Sequence, residues 1–327
     1  MLRLSRLRLH FNNGLITVLS DIGNMAKSTG EVFRANAYFS AVQTIKSLPK
    51  EITCIDDVKD KPGIGKSMML KIEEYLKTGT LKQHKEMKKD PKMKLMELFT
   101  SVHGIGPVMA RKLVYEKGFT KLSDLKKIEL HEAQKLGLQH LQDTELPIPR
   151  AEVTQHVDLI TKTLKKNYRN DVEVVACGSY RRGKPFSGDV DVLIAVPDDP
   201  IDCLEKATHA LREKNVIHAT LAQGPTKFMG YIKGPEHVRR FDMRCVKFSE
   251  LPAAILYFTG SKAFNTKMRA HALEQGYTLS EYGLCSKKLR GKKLQTRKAS
   301  DWVKVKSEED IFKKIKMPYV KPEDRSI

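Results

Sequence analysis

The chain has 327 residues, of which 40% are hydrophobic and 7% aromatic. This composition is typical of a globular protein of about two to three domains and excludes a chain that stays disordered, and the longest uninterrupted apolar run, 253–258, is far shorter than the ~20 residues of a membrane-spanning helix. Lysine and arginine number 59 against 39 aspartates and glutamates, so the net charge of +20 favours nucleic acid as a partner over a basic surface that serves solubility alone.

The first eleven residues form a basic tail, with Arg3, Arg6 and Arg8 and no acidic residue. Two interpretations of 1–11 stay open: a frayed basic end, or a segment similar to a mitochondrial presequence. The leucines alternate with the arginines instead of following a helical stripe, which favours the first interpretation.

Residues 12–148 read as short helices joined by glycine-containing turns, and they contain an internal repeat. Pro-Gly-Ile-Gly at 62–65 matches His-Gly-Ile-Gly at 103–106, so that Gly63 and Gly104 are 41 positions apart. A Gly-x-Gly turn between two helices exposes backbone N–H groups beside a positive helix N-terminus, an arrangement that can hold a phosphate. A helix-helix turn without a ligand is the alternative, but two copies in a basic chain favour binding.

The second half of the chain has a mixed pattern of helices and strands. Prolines at 147 and 149 indicate a domain boundary. Beyond it, the periodicity predicts a helix at 151–167, strands at 172–176 and 190–196, a helix at 203–214, a strand at 239–246, a helix at 251–258 and a last helix that ends near 275. The predicted fold class is therefore α+β, with a helical first half.

Acidic residues on the predicted strands form a candidate metal site. A Gly-Ser turn at 178–179 and Arg182 precede Asp189 and Asp191, which strand periodicity places on one face. Two carboxylates about 7 Å apart repel each other unless a divalent cation lies between them, and oxygen ligands suit Mg²⁺. Asp242, on another strand between apolar neighbours, is the candidate third ligand. Pairing of these acids with nearby arginines explains any one of them but not the combination.

These residues carry a resemblance that extends from about residue 12 onward. Besides both hairpins and the Gly-Ser turn with its two aspartates, the chain has Thr-Lys-Phe-Met-Gly at 226–230, Arg-Arg-x-Asp-x-Arg at 239–244, Tyr-Phe-Thr-Gly-Ser at 257–261 and Met-Arg-Ala-His-Ala-Leu-Glu at 268–274. With these motifs the chain resembles the X family of DNA polymerases.

The resemblance implies a domain order for this α+β chain. After the basic tail at 1–11, it implies a helical lyase and DNA-end-binding domain with the first helix-hairpin-helix motif at 12–86, and a helical DNA-binding subdomain with the second at 87–148. A nucleotidyltransferase palm of mixed β-sheet and helices at 149–248 and a nucleotide-selection subdomain at 249–327 follow.

The same resemblance implies template-directed DNA synthesis that fills short gaps in base excision repair. The substrates are deoxynucleoside triphosphates and gapped or nicked double-stranded DNA. Asp189 and Asp191 bridge two Mg²⁺ ions, and Asp242 ligates the ion at the primer 3′-hydroxyl. The positions that match nucleotide contacts are Arg150, Gly178, Ser179, Arg182, Gly188, Tyr257, Phe258, Gly260 and Asn265. Those that match DNA contacts are Tyr38, Gly63, Gly65, Gly104, Gly106, Lys227 and Arg269. Each hairpin of the family holds a monovalent cation (Na⁺ or K⁺), here on the carbonyls of Lys59, Lys61 and Ile64 and of Thr100, Val102 and Ile105.

A second activity is implied by Lys71, which aligns with the amine that forms a Schiff base with a 5′-deoxyribose phosphate before β-elimination. A lysine attacks only as the neutral amine. Tyr38 of this pocket is retained, but Arg34, Ser67 and Gln83 stand where vertebrate members of the family have lysines. The contacts with the 5′-phosphate are therefore expected to differ from those of the vertebrate members.

Two other functions stay open. A template-independent nucleotidyltransferase also has Gly-Ser with paired aspartates, although the two hairpins and Arg269 argue against it. A catalytically silent DNA-end-binding scaffold is the other, although all three aspartates are present. We expect a monomer that does not bind membranes, in the nucleus or, given 1–11, in a mitochondrion; the sequence identifies no repair-protein partner. The basic tract at 287–298 is a solvated loop, a localisation signal or a DNA contact.

Overall fold

The computed structural model describes residues 12–48, 50–291 and 298–326. The basic tail at 1–11 and part of the basic tract at 287–298 lie outside the described residues. The chain divides into two compact units, an N-terminal unit up to Gln134 and a C-terminal unit from Lys135. The predicted boundary at 148–149 falls further along the chain.

The N-terminal unit is helical. Its α-helices are α1 (Asn13–Ser28), α2 (Val32–Ser47), α3 (Lys66–Thr78), α4 (Lys82–Lys89), α5 (Pro91–Ser101), α6 (Pro107–Arg111) and α7 (Glu132–Gln139), the last of which continues into the C-terminal unit. A π-helical turn, Lys112–Glu116, extends α6, and short 3₁₀ helices span Ile55–Asp57 and Leu122–Lys127. Residues such as Leu19 and Ile22 of α1 and Ile45 of α2 recur at helical spacing and are fully buried, so their burial stabilises the pairing of these two helices.

The C-terminal unit mixes helices and strands. Its α-helices are α8 (Leu141–Glu145), α9 (Arg150–Asn167), α10 (Gly178–Arg181), α11 (Pro200–Glu213), α12 (Leu251–Thr259), α13 (Lys262–Glu274) and α14 (Glu308–Lys314). Its strands are β1 (Ile148–Pro149), β2 (Glu173–Ala176), β3 (Phe186–Ser187), β4 (Val190–Val196), β5 (Ile217–Gln223), β6 (Lys227–Lys233), β7 (Val238–Lys247), β8 (Tyr277–Ser280) and β9 (Gly283–Ser286). Three 3₁₀ helices are described here, Lys287–Leu289, Ala299–Asp301 and Pro322–Arg325. No helix within the described ranges is both long enough and apolar enough to cross a membrane.

Five of the described strands form one mixed sheet in the order β2-β4-β7-β6-β5, in which only β4 and β7 run parallel. Both faces of its centre are covered. Val192 and Ile194 of β4 pack in a core with residues of α9 and α11. Leu193 and Ala195, which point to the opposite face, pack with Ala254 of α12. Side chains of β4 therefore alternate between two cores, which explains its continuous apolar sequence.

The predicted α+β class is confirmed, and the predicted helix at 151–167 and strand at 190–196 correspond to α9 and β4. Strands β5 and β6 were not predicted. Gly230 interrupts the apolar pattern of β6, and a Cβ there would lie 2.3 Å from the carbonyl oxygen of Ala219 on β5. The close approach of the two backbones requires the glycine, which is also the residue that hides the strand from a periodicity argument.

A further core lies behind the β8–β9 hairpin. Phe264 and Met268 of α13 pack there against Ile311 and Phe312 of α14. The Trp302 ring covers the hairpin at Gly283, where a Cβ would stand 2.7 Å from Cε3 of the indole. The aromatic ring thus takes the space that a side chain at the glycine would occupy.

A buried ion pair joins α9 to the start of β7. Glu152 and Arg239 are 9% and 6% exposed, and the guanidinium donates two hydrogen bonds to the carboxylate at 2.7 and 2.9 Å. Arg239 also donates to the carbonyl oxygen of Leu146, at 3.4 Å. Because both charges are buried, removal of either one leaves its partner in an apolar environment without compensation.

We predict that Glu152→Gln lowers the free energy of unfolding by about 3 kcal/mol, because it strands the Arg239 charge. Urea denaturation measures this loss. The matched control is Asp171→Asn, which removes an exposed acid from its pair with Arg169 and should leave the midpoint near that of the wild type. Equal midpoints for the two variants would contradict the prediction.

Candidate active site

The three candidate aspartates lie on the face of the sheet that packs against α12. In the parallel pairing of β4 with β7, Asp191 is the direct partner of Asp242. Asp189 comes just before β4 begins and is close enough to Asp191 to raise the pKa of that carboxyl. Alternation along β7 places Asp242 on the same side as Val246, which packs with α12. Two strands from separate parts of the chain thus bring the predicted carboxylates together.

The electrostatics of this group are unfavourable without a cation. Burial raises the pKa of Asp191 well above its ordinary value, and the neighbouring charges of Asp189 and Asp242 raise it further. Burial also raises the pKa of Asp242, while the charges of Arg240 and Lys227 partly oppose that shift. The protein therefore holds acidic groups close together in a place that disfavours their ionised forms.

The donor chemistry fits a divalent cation. Oδ1 of Asp242 is buried and accepts no hydrogen bond from any residue that the structure describes, with Nη2 of Arg240 3.9 Å away. Across the described ranges, no three His, Cys, Asp or Glu side chains lie close enough together to form a complete ligand set. The carboxylates share one face, therefore, but are not closed around a single point. A divalent cation would nevertheless bind these carboxylate oxygens and reduce the repulsion between them. It would also interact with the buried Oδ1 of Asp242, which accepts no hydrogen bond from the described residues.

The turn after β2 comes into direct contact with these carboxylates. Gly178 has a φ of +55°, and a Cβ on it would lie 2.0 Å from Oδ2 of Asp191, so only glycine fits. The N–H of Cys177 donates to the backbone oxygen of Asp191 at 2.9 Å. Ser179 follows on α10, and burial lowers the pKa of Arg182, whereas the charges of Asp191 and Asp189 oppose this shift. A cationic side chain thus lies beside the acidic group.

Arg150 is bound to the same turn from α9. Its Nη1 donates to the carbonyl oxygen of Tyr180 at 2.6 Å, and its guanidinium lies 3.9 Å from the centre of the Tyr180 ring. The backbone N–H of Arg150 donates to the carbonyl oxygen of Pro185 at 3.0 Å. Gly188 is exposed between β3 and β4. Arg150 is therefore bound both to α10 and to the segment that leads into β3.

The residues predicted to form the sugar pocket lie around the end of α12. The side-chain amide of Asn265 donates to the carbonyl oxygen of Tyr257 at 2.7 Å, and the rings of Tyr257 and Phe258 pack edge to face. Gly260 has a φ of +68°, and a Cβ there would be 3.3 Å from Nη1 of Arg182. The turn at 260 is thus adjacent to Arg182.

Charged residues from β7, α13 and the β8–β9 hairpin meet at one place. Arg244 donates to the hydroxyl of Tyr282 at 2.7 Å and lies 3.8 Å from a carboxylate oxygen of Glu281. Arg269 lies 3.7 Å from the other oxygen of Glu281, and its guanidinium is 4.8 Å from the centre of the Tyr257 ring. Both arginines belong to motifs that carry the family resemblance, whereas sequence reasoning did not identify Tyr282.

Lys227 opens β6 directly opposite Arg244. It is close enough to Asp242 to lower the pKa of that carboxyl. The predicted DNA contact is therefore also part of the electrostatic environment of the third aspartate.

The candidate lyase residues lie in the N-terminal unit. Lys71 is half-buried on α3 and donates to Oγ of Ser67, one turn earlier, at 3.2 Å. Tyr38 of α2 is buried, and its hydroxyl donates to Oε1 of Gln83 at 3.1 Å. Burial raises the pKa of the Tyr38 phenol. Two of the residues that replace lysines in the family pattern thus bond to retained ones.

The repeat of the N-terminal unit is also a structural repeat. The first glycines have left-handed backbones, with φ of +76° at Gly63 and +83° at Gly104. The second glycines, Gly65 and Gly106, directly precede α3 and α6, and a Cβ at either would meet no described atom within 4 Å. Each second glycine therefore presents an open helix N-terminus.

The candidate cation carbonyls repeat with the glycines. The N–H of Ile64 donates to the oxygen of Lys61 at 3.1 Å, and that of Ile105 to the oxygen of Val102 at 3.0 Å. The hairpins diverge beyond this turn, because the second continues into a π-helical turn.

Sequence reasoning did not identify Glu308 or Arg325, which belong to the surroundings of Arg182. Thr259 accepts from two neighbouring arginines, and Glu308 pairs with Arg181 and Arg325. Glu308 is 127 positions from Arg181, and no periodicity or motif relates residues so far apart.

Comparisons with known proteins agree with this organisation. Four family models match successive parts of the chain: a helix-hairpin-helix domain at 10–81, the fingers domain of DNA polymerase lambda at 97–145, the DNA polymerase beta palm at 147–248 and the DNA polymerase beta thumb at 254–326. DNA polymerase lambda of Arabidopsis thaliana is 30% identical over 97% of this chain. The chain belongs to the X family of DNA polymerases.

Two further relatives of this polymerase-family chain are similar over most of its length. DNA polymerase lambda of Rattus norvegicus is 31% identical over 90% of the chain, and the human DNA-directed DNA/RNA polymerase mu is 25% identical over 97%. The chain spans 62% and 53% of the plant and rat lambda polymerases and 69% of polymerase mu. It thus covers less than two thirds of the length of either lambda polymerase.

We predict that Asp242→Asn stabilises the metal-free protein at neutral pH. The pKa of Asp242 in the folded protein is raised above its ordinary value of 3.8. The ionised carboxyl therefore destabilises the folded protein at any pH above this raised pKa, and the destabilisation disappears as the pH falls toward 3.8. The amide should add about 1 kcal/mol near pH 7, or a few degrees in melting temperature. Thermal unfolding in EDTA measures the difference.

Magnesium should reverse this order, because a bound cation stabilises the ionised carboxylates of the wild type but gains less from the amide. The control is Asp171→Asn, whose melting temperature should not respond to Mg²⁺ differently from that of the wild type. An Asp242→Asn protein that melts below the wild type in EDTA would contradict the prediction.

Proposed function

We propose that this chain is a template-directed DNA polymerase that fills short gaps in DNA during base excision repair. The observation that carries the proposal is the in-register pair Asp191 and Asp242, with Asp189 beside it, next to the Gly178–Arg182 turn. Carboxylates for divalent ions beside a cationic turn for phosphates are what transfer of a nucleotide requires. Family membership supports the same activity.

Metal dependence is part of the proposal. Polymerases of this family use divalent metal ions, and Asp189, Asp191 and Asp242 would hold two Mg²⁺. When bound, the ions would supply the positive charge that lowers the pKa of the primer 3′-hydroxyl and offsets charge on the leaving pyrophosphate. Oδ1 of Asp242 has no competing donor among the described residues, so it is available as a ligand.

The remaining residues of the site would bind and orient the incoming deoxynucleotide. Arg182, Arg150 and Ser179 would contact the triphosphate, as would backbone N–H groups near Gly178 and Gly188. The backbone around Tyr257 and Gly260 would crowd the 2′ position and disfavour a ribonucleotide. Arg269 and Asn265 would contact the base pair, since both lie along α13 beside Tyr257. Correct placement of the reacting atoms lowers the barrier by reducing the entropy lost in the transition state.

DNA binding would use both hairpins. The open N-termini after Gly65 and Gly106 would approach backbone phosphates on each side of a gap, and the net charge of +20 would strengthen this contact at low salt. A monovalent cation on the carbonyls of each hairpin, such as those of Lys61 and Val102, would bridge the protein to a phosphate. Two hairpins that contact separate backbone phosphates would suit gapped or nicked DNA better than a continuous duplex.

Lys71 would add 5′-deoxyribose-phosphate lyase activity. Its amine would attack the sugar aldehyde with loss of water to form a Schiff base, β-elimination would release the DNA 5′-phosphate end, and hydrolysis would free the amine. The half-buried position of Lys71 on the helix that follows the first hairpin supports this role.

The first experiment is primer extension on DNA with a single-nucleotide gap and a 5′-phosphate. We expect Mg²⁺-dependent insertion with release of pyrophosphate. Asp242→Ala should lower the rate by about a hundredfold or more, because it removes a proposed ligand of the ions that stabilise charge in the transition state. Asp171→Ala is the control acid from the same unit. Extension of blunt ends without a template would favour the template-independent transferase, and DNA binding without pyrophosphate release would favour the scaffold.

The second experiment traps the lyase intermediate with borohydride on an incised abasic site. Wild type should form a covalent adduct with DNA, and Lys71→Ala should reduce it by about tenfold or more, because the attacking amine is gone. Lys77→Ala is the matched control, since Lys77 lies on the same helix and is ion-paired with Glu73. An undiminished adduct in Lys71→Ala would reassign the nucleophile.

A further inference from the structure

A cluster of three arginines and one glutamate lies behind the proposed triphosphate site. It consists of Arg181, Arg182, Arg325 and Glu308, and we call it the arginine cluster. Glu308 is 6% exposed and Arg325 is completely buried. The cluster contains three guanidinium groups and one carboxylate, so its four members carry excess positive charge.

Glu308 binds two of the arginines at once. Arg181 donates to both carboxylate oxygens, at 3.2 and 2.7 Å, and Arg325 donates to Oε1 at 2.6 Å. These bonds occupy Arg181 and Arg325, whereas Arg182 donates to acceptors other than Glu308. Two adjacent cations would otherwise compete for the same acceptors.

Thr259 connects the arginines to the sugar pocket. Its side-chain hydroxyl accepts from Arg181 at 2.7 Å, while its carbonyl oxygen accepts from Arg182 at 2.6 Å. The next residues, Gly260 and Ser261, form the turn of the sugar pocket. Thr259 therefore bonds to both arginines directly before that turn.

The segment 320–326 holds the same turn from the other side. The carbonyl oxygen of Arg325 accepts from the N–H of Ser261 at 3.2 Å, and its guanidinium donates to the carbonyl oxygen of Val320 at 3.0 Å. The hydroxyl of Ser326 accepts from Nε of Arg182 at 3.3 Å. Aromatic rings of Phe264, Phe312 and Tyr319 surround the Arg325 guanidinium. The packing leaves Arg325 little freedom, so the turn that it supports is fixed as well.

We propose that Glu308 and Arg325 are positioning residues for the incoming nucleotide. They hold Arg182 and the turn at 260–261 at a fixed separation, so that one deoxynucleotide reaches both with its triphosphate and its sugar. Arg182 is bound here to neutral acceptors, a carbonyl and a hydroxyl, which a triphosphate exceeds in strength as an acceptor. Neither Glu308 nor Arg325 need touch the substrate. The inference rests on the proposed polymerase function and deepens it.

The test compares wild type, Glu308→Gln, Arg182→Lys and the double variant in steady-state insertion on single-nucleotide-gapped DNA. Glu308→Gln preserves the shape of the side chain but releases Arg181, so we expect KM for the deoxynucleotide to rise about tenfold with kcat changed by about twofold or less. Affinity for the gapped DNA should be unchanged. In the Arg182→Lys background, Glu308→Gln should change KM by about twofold or less, because the residue through which it acts has already been altered.

The control variant is Glu152→Gln, which breaks another buried arginine pair of the same unit without contact to Arg182. It should lose stability but keep the wild-type KM. If Glu308→Gln does not fold, Ser326→Ala replaces it, since that exposed hydroxyl touches Arg182 directly, and a rise in KM of about twofold or more is expected.

Each outcome decides between distinct conclusions. A wild type that neither binds deoxynucleotide nor extends a primer would refute the proposed function. A wild type that extends, with KM unchanged in both Glu308→Gln and Ser326→Ala, would refute the positioning role alone. A tenfold effect that persists in the Arg182→Lys background, or an equal rise in Glu152→Gln, would also overturn it, because the loss would then be a general result of destabilisation.

Discussion

The repulsion between carboxylates on β4 and β7 is the constraint on which the site depends. Parallel pairing places Asp191 opposite Asp242, and burial makes both harder to ionise. A fold selected for stability alone would not place these charges side by side. The surrounding structure tolerates the arrangement because the strands are fixed by cores on both faces of the sheet, so the carboxylates cannot move far apart.

Buried ion pairs on both sides of the sheet support this constraint. Glu152 and Arg239 fasten the beginning of the strand that carries Asp242, while Glu308 and Arg181 fasten the turn that packs on Asp191. Such pairs contribute less to net stability than apolar packing does, but their directional bonds specify one geometry. The unit thus combines an apolar core with charged contacts that locate the functional groups.

The sequence was most informative where local pattern and function coincide. Continuous apolar residues predicted β4, and Asp242 was recognisable because it interrupts the apolar neighbours Phe241 and Met243. The apolar pattern did not predict β6, because a glycine that permits close approach of two backbones interrupts it. Nor did the pattern identify Glu308, whose role arises only when α14 folds against α10. Long-range pairing of charges has no periodicity, so it becomes visible only in three dimensions.

The placement of the indole on the β8–β9 hairpin has a practical consequence. The chain contains a single tryptophan, Trp302, and it packs on Gly283 within the C-terminal unit. Intrinsic tryptophan emission from this protein therefore comes from one known location. Any rearrangement of the hairpin would change the polarity around one fluorophore, so the native chain carries an optical reporter for this region without chemical labelling.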